Sequence, residues 1–205
     1  MDVERAIRSV RARRWYAPRP IPDADLAAIL DAARWTGSGK NRQPWQLVVV
    51  RDRGRLDALA TCGPWADHLA RAPLAILVAV PRQFGVVGLP AEQFMADTER
   101  VASLMAIFDA GRLAQALVLA AWNRGIASCP ATMHDQGRAR TIIGIPEEQW
   151  IAMSLAFGYP VEETPEQREY VSSIIVTRGR RPLGDLVHYD AWGVKPAVPA
   201  ATQGG

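Results

Sequence analysis

The 205-residue chain reads as a mixed helix–strand domain, α+β or α/β, whose sheet flanks or surrounds one buried helix. Three observations lead there. Apolar residues recur at helical spacing near the start: Val3, Ala6, Ile7 and Val10, then Leu26, Ile29, Leu30 and Ala33. Apolar runs of strand length follow, "QLVVV" at 46–50 and "LAILVAV" at 74–80, with "IASC" and "WIAMSLAFGYP" further on. Among them, "LAQALVLAAW" at 113–122 has only Gln115 as a clearly polar member, the pattern of a helix enclosed on nearly every side. Strands separated by helices favour parallel neighbours, although element order alone leaves the pairing open.

Taken in order, the first helix is expected to run to about Arg13. At ~100° per residue its continuation returns Arg14 to the apolar stripe, so Arg14 faces inward, or the helix stops, or both. The proline-rich "RARRWYAPRPIP" that follows must leave helical geometry. Asp23 in "PIPDADL" is placed to cap a second helix. "TGSGKNRQPW" at 36–45 is rich in turn formers and reads either as a plain connection or as a ligand loop. In the second reading, its glycines admit a ligand to the backbone while Ser38 and Asn41 offer donors and acceptors to a planar heterocycle. Neither GxxxxGK[ST] nor GxGxxG occurs there, so it is a poor phosphate loop. A short helix at 55–60, a long one from Ala91 to Arg124 closed by Gly125, and a small one at 136–143 complete the core pattern. "FGVVGLPAEQF" at 84–94 is a lid or a simple loop. After Tyr159 the tail turns polar, with strand-like "SSIIVT" at 172–177 and a frayed end.

Composition is that of an ordinary globular protein, 49% hydrophobic and 22% charged, and a formal charge of +3 demands no polyanionic partner. The basic residues are clustered, however. Arg5, Arg8, Arg11, Arg13 and Arg14 form one group, and Arg178, Arg180 and Arg181 a second, each a solvated face or an anion site. Cys62 and Cys129 have neither disulfide nor metal spacing, which suits a reducing, cytoplasmic setting. The arginine-rich start is no secretory signal, and 113–122 is about half a membrane span. His68 and His188 read as structural, and His134 as a proton donor or a solvent-facing side chain; no metal site is expected. Trp65, Trp122 and Trp150 are expected in the core, and Trp45 in packing.

An ordered set of short matches runs from about residue 5 to 192: "VRARRWY", "PIPDADLAAILDAA", "GSGKNRQPW", "GRLAQALVLAAWNRGIASC", "PATMH", "GIPEEQW", "AFGYP" and "RGRRPLGDLVHYDAW". On these the chain resembles the FMN-dependent nitroreductase family, with its NAD(P)H:flavin-type oxidoreductase fold. It departs from the family pattern at Val10 and Ala12, where arginine and serine are usual, and at Gly37, where proline is usual.

The resemblance implies an α+β fold in which a mixed, mainly antiparallel sheet is wrapped by helices around a central one. It implies one domain over 1–192, a flexible tail over 193–205, and a homodimer that swaps C-terminal extensions and holds FMN in shared sites. Carried over by position, Arg11, Ala12 and Arg14 sit on the flavin, Arg11 with Arg180 and Arg181 near its phosphate, and Arg14 at the ring edge where reduction builds negative charge. Ser38, Gly39 and Asn41 come from the partner chain. Ala131, Thr132 and Met133 line the ring near N5. No side chain is implied as a covalent catalyst. The implied activity is hydride transfer from NADH or NADPH through FMN to a nitroaromatic, quinone or similar small acceptor, by a ping-pong scheme. A specialised branch (flavin-cleaving, dehalogenating or deazaflavin-using) is the alternative within the fold. A nucleic-acid-binding module using the basic first helix is the alternative outside it, and no aromatic–basic interleaving supports it.

Overall fold

The computed structural model describes residues 1–82, 98–176 and 179–194. The expected 84–94 lid, Arg178 and the tail from 195 lie outside them. Two compact units divide the chain at Glu162/Glu163.

In the first unit, α1 (Val3–Ser9) is capped by Asp2, whose carboxylate accepts the Arg5 N–H. The helix ends four residues earlier than Arg13, because Val10 is already extended and Ala12 bridges in parallel to Ser128. Its apolar stripe is not buried within the chain either: Ala6 is, whereas Val3 and Ile7 are 72% and 55% exposed. In α2 (Asp23–Ala33), Ile29 and Ala33 are buried as the spacing predicted. Its N-cap is Pro22 rather than Asp23, and Asp23 instead pairs with Arg51 at 2.6 Å.

Strand β1 (Gln46–Val50) leads through α3 (Arg53–Leu59) and a 3₁₀ turn (Asp67–Arg71) to β2 (Leu74–Pro81). The long α4 (Thr98–Trp122) precedes β3 (Ala127–Ala131), α5 (Gln136–Ile143) and β4 (Gln149–Gly158). The sheet order is β1-β2-β4-β3, and all three ladders are antiparallel, which corrects the parallel neighbours favoured by element order. Val50, the last residue of β1, pairs with Ala75 near the start of β2, so the connection through α3 returns the chain to the end it left and β2 runs back along β1. Among the described residues the one parallel contact is the isolated Ala12–Ser128 bridge, outside the four strands, so the sheet itself is antiparallel throughout rather than mixed.

β2 lies inside the sheet and its first seven residues are buried, so its apolar run serves two cores. Leu74, Ile76, Val78 and Val80 face α2 and α4, together with Leu155 and Phe157. Ala75, Leu77 and Ala79 face α3 and α5, together with Leu56, Leu59 and Ile151. Each large aliphatic side chain so enclosed contributes roughly 1.5–3 kcal/mol. Over 113–122 helix α4 is enclosed as its sequence suggests, with Leu113 and Leu117 buried and Gln115 alone exposed, whereas earlier in the helix Leu104, Met105 and Phe108 are exposed. Leu104–Trp122 is long and apolar enough to cross a membrane by length and composition, and in this fold it packs against the sheet. Gly125 ends the turn after α4 at φ +72°, as expected of a cap. Trp65 is 58% exposed, against the expectation of a core position, while Trp45 and Trp150 pack beside the α4 core.

The second unit contains α6 (Pro165–Ile174) and the short α7 (Leu183–Leu186). Of the strand expected over 172–177, residues 172–174 are instead the end of α6, Ile175 is its extended C-cap, and 177 lies outside the described residues. A capping box at Thr164 and Gln167, with Pro165 in the first turn, starts a helix that runs on through the β-branched Val171 and Ile174. His188 stacks on Trp192 with ring centroids 4.2 Å apart.

Candidate functional site

After α1 the chain runs extended along the edge of β3, with the Arg13 N–H donating to the Ser128 carbonyl at 2.9 Å. This places Arg11 and Ala12 on a groove of about 330 Å³, floored by Gly111, Ala114 and Val118 of α4 and walled by Pro130. That volume lies near the lower end of the ~300–1,000 Å³ typical of small-molecule sites. The floor is apolar and made of small side chains; a Cβ at Gly111 would meet nothing within 4 Å. Arg11 stands at the rim, exposed, with Nη1 donating to the Arg8 and Val10 carbonyls at 2.7 and 2.8 Å.

Arg14 is half-buried, as are Arg13 and Trp15, and because α1 ends at Ser9 the helical spacing that was to turn it inward does not reach it. Its carbonyl accepts from Arg71 Nε at 3.1 Å, and the Tyr16 hydroxyl donates to the Arg13 carbonyl. Gly158 of "FGYP" makes room for Tyr16: a Cβ there would fall 2.6 Å from the ring. Behind β3, His68 is 1% exposed and its Nε2 lies 3.2 Å from the Cys129 carbonyl. Burial pushes the His68 imidazole down to about 4 and the Cys129 thiol up to about 11, with the Arg14 charge opposing the rise at Cys129. Both groups are therefore neutral at pH 7, and Cys129 is no nucleophile. Burial likewise drives the Tyr16 phenol above its ordinary range.

The turn after β3 is fastened from two sides. The Cys62 carbonyl accepts the His134 and Asp135 N–H groups at 2.8 and 2.9 Å, and a Cβ at Gly63 would collide with the Thr132 carbonyl oxygen. The Gln136 amide donates to the Met133 and Ile151 carbonyls and accepts the Ile151 N–H, all at 3.0 Å. Ala131 and Met133 turn their side chains into the core, so this turn offers a ligand its backbone and the exposed Thr132. His134 is exposed beside it.

Ser38, Gly39 and Asn41 are not in that groove. Gly39 lines a separate cavity of about 210 Å³ with Lys40, Arg42, Met105 and Asp109. Lys40, Asn41 and Gln43 all have left-handed backbones, at φ 53°, 55° and 48°. The Ser38 hydroxyl accepts the Gln43 N–H at 2.9 Å, and Asp109 Oδ2 accepts the Gly39 N–H at 2.9 Å. Arg180 and Arg181 belong to the second unit and are exposed.

Sequence reasoning did not single out Asp109, Gln136, Gly63 or Arg71. The readable signal was Asp109, the one acid between Leu104 and Trp122. The others act on backbone groups distant in sequence, for which no local pattern exists.

The nitroreductase family model matches residues 7–159. A Thermus thermophilus protein named NADH dehydrogenase is 28% identical, over 87% of this chain and 97% of its own length. One from Methanothermobacter thermautotrophicus, named NADH dehydrogenase/NAD(P)H nitroreductase, is also 28% identical, over 94% and 88%. A nitroreductase structure from Desulfovibrio desulfuricans, solved in complex with FMN, superposes with a TM-score of 0.67 at 24% identity, covering 91% of this chain and 95% of the other, and so shares its fold. The fold and the match define an oxidoreductase. The chain belongs to the nitroreductase family.

Proposed function

We propose that the protein binds FMN and passes reducing equivalents from NADH or NADPH to a small acceptor such as a nitroaromatic or quinone. The groove beside Ala12 carries this reading. Its floor of Gly111 and Ala114 leaves room for a flat ring, and Arg11 at its rim suits a phosphate, since a guanidinium fork matches phosphate oxygens in pairs. The residues present fit the group. Bound FMN supplies reversible two-electron, hydride-level chemistry at its N5.

The chain's own contribution is position and charge. Arg14, half-buried beside Cys129, sets a fixed cation near β3, and a cation at an electron-rich ring edge favours the reduced state. The turn at Ala131–Met133, held by Gln136 and Cys62, presents backbone groups in a fixed geometry. Ser38, Gly39 and Asn41 are assigned to the flavin of a second copy, consistent with none of them lining the groove beside Ala12 and with Gly39 lining a separate cavity. The assignment of Arg180 and Arg181 to the phosphate rests on the sequence resemblance. A homodimer would also cover the exposed Val3, Ile7, Met105 and Phe108. The buried, unpaired thiols suit a cytoplasmic protein.

The visible spectrum of the purified chain tests this directly. Yellow protein that bleaches with NADH or NADPH supports it; a colourless chain that takes up no FMN at micromolar concentration overturns it. One site serving donor and acceptor in turn predicts parallel initial-rate lines, and intersecting lines would exclude ping-pong turnover.

A further inference from the structure

We propose that Asp109 is the positioning residue of the 37–43 loop: from inside α4, its carboxylate holds the backbone shape in which Ser38, Gly39 and Asn41 meet a ligand. That the ligand is a flavin rests on the function proposed above; the anchoring itself does not.

The loop needs an anchor. Three non-glycine residues in five adopt left-handed backbones, each costing roughly 1–2 kcal/mol. Its internal bonds close it only upon itself: Ser38 Oγ accepts from Gln43, the Ser38 carbonyl from Asn41 at 2.9 Å, and the Gly39 carbonyl from Arg42 at 3.1 Å. Among the described residues, Asp109 supplies the one hydrogen bond that reaches residues 37–43 from outside the loop.

Asp109 is built for that bond. It is 2% exposed on an otherwise apolar stretch of helix, where an uncompensated carboxylate would be severely destabilising. Its compensation is the Gly39 N–H at 2.9 Å and Arg112 Nη1 at 3.4 Å, and a hydrogen bond to an ionised acceptor is about twice as strong as a neutral one. Arg112 in turn occupies the space that Gly37 leaves open, since a Cβ at Gly37 would lie 3.1 Å from Arg112 Nη2. Glycine at 37 thus leaves room for the guanidinium that pairs with Asp109, and Asp109 holds the loop at Gly39.

The test uses the full chain as wild type, Asp109→Ala and Asp109→Asn. Peptide-resolved hydrogen exchange reports residues 37–43 against β2 and β4, and fluorescence titration reports FMN affinity. In Asp109→Ala, exchange at 37–43 should rise on the order of tenfold or more with β2 and β4 unchanged, and FMN affinity should fall by a similar factor. Asp109→Asn keeps an acceptor oxygen and should restore both to within about threefold of wild type. Exchange at 37–43 that stays at the wild-type rate overturns the proposal, as does acceleration shared equally with β2 and β4, or no rescue by Asn. If the loop opens but wild type binds no FMN, the anchor stands and the flavin reading fails. If the loop opens while FMN affinity is intact, the role of Asp109 in the site fails. Should the alanine variant not fold, Asp109→Ser, too short to reach Gly39, carries the same expectation.

Discussion

Acidifying the solution from about pH 7.5 to 4.5 charges His68 in the unfolded chain and leaves most of it neutral in the folded one. Its imidazole is enclosed between the 3₁₀ turn and β3, and burial holds it at about 4 against an ordinary 6.5. The unfolded state therefore binds more protons between those values, so stability must fall as the pH drops through that window. Above 6.5 the contribution is complete, and below about 4 both states are charged and nothing more is lost. At ~1.36 kcal/mol per pH unit the whole gap is worth roughly 3 kcal/mol, most of which is gone by pH 4.5. Carboxylates titrate over the same range, so the informative quantity is a difference between two proteins. His68→Gln retains an N–H donor for the Cys129 carbonyl and has no titration in this range. Urea unfolding of both proteins at matched concentration should show wild type losing roughly 2–3 kcal/mol more than the variant between the two pH values. Equal losses would refute a buried, neutral His68.

Gln136→Ala removes three hydrogen bonds that tie the Met133 turn to β4, and should cost roughly 1–3 kcal/mol in urea unfolding; a loss below about 0.5 kcal/mol would mean water replaces them. Gly63→Ala drives a methyl into the Thr132 carbonyl, so the turn must shift. We expect a loss of roughly 1–3 kcal/mol together with weakened FMN binding, and a variant of wild-type stability and affinity would contradict the close approach. Phe108→Asp places a charge on the exposed apolar end of α4. Sedimentation velocity should give a dimer for wild type and a monomer for the variant, and a monomeric wild type would remove the shared-site reading.

Several elements were legible because their signal is local. The helix at 136–143, the strand at 46–50 and the buried face of α2 appear as their spacing required, since side-chain period depends on nearest turns and pleats alone. "SSIIVT" misled because β-branched propensity is a weaker constraint than a complete capping box about two turns upstream. The early end of α1 at Ser9 was invisible, because what draws Ala12 away is an edge of β3 more than a hundred residues distant.

The sequence by itself determined the family, the alternation of helices and strands, and which arginines and which glycine-rich loop are candidates for a ligand. Only the tertiary structure decided that the strands pair antiparallel, that Ala12 and Arg11 flank a groove on α4, and that a single buried aspartate reaches across to Gly39. The division has one physical cause. Periodicity and capping are written within a few consecutive residues, whereas pairing direction, cavities and anchoring bonds depend on which distant surfaces the chain brings together.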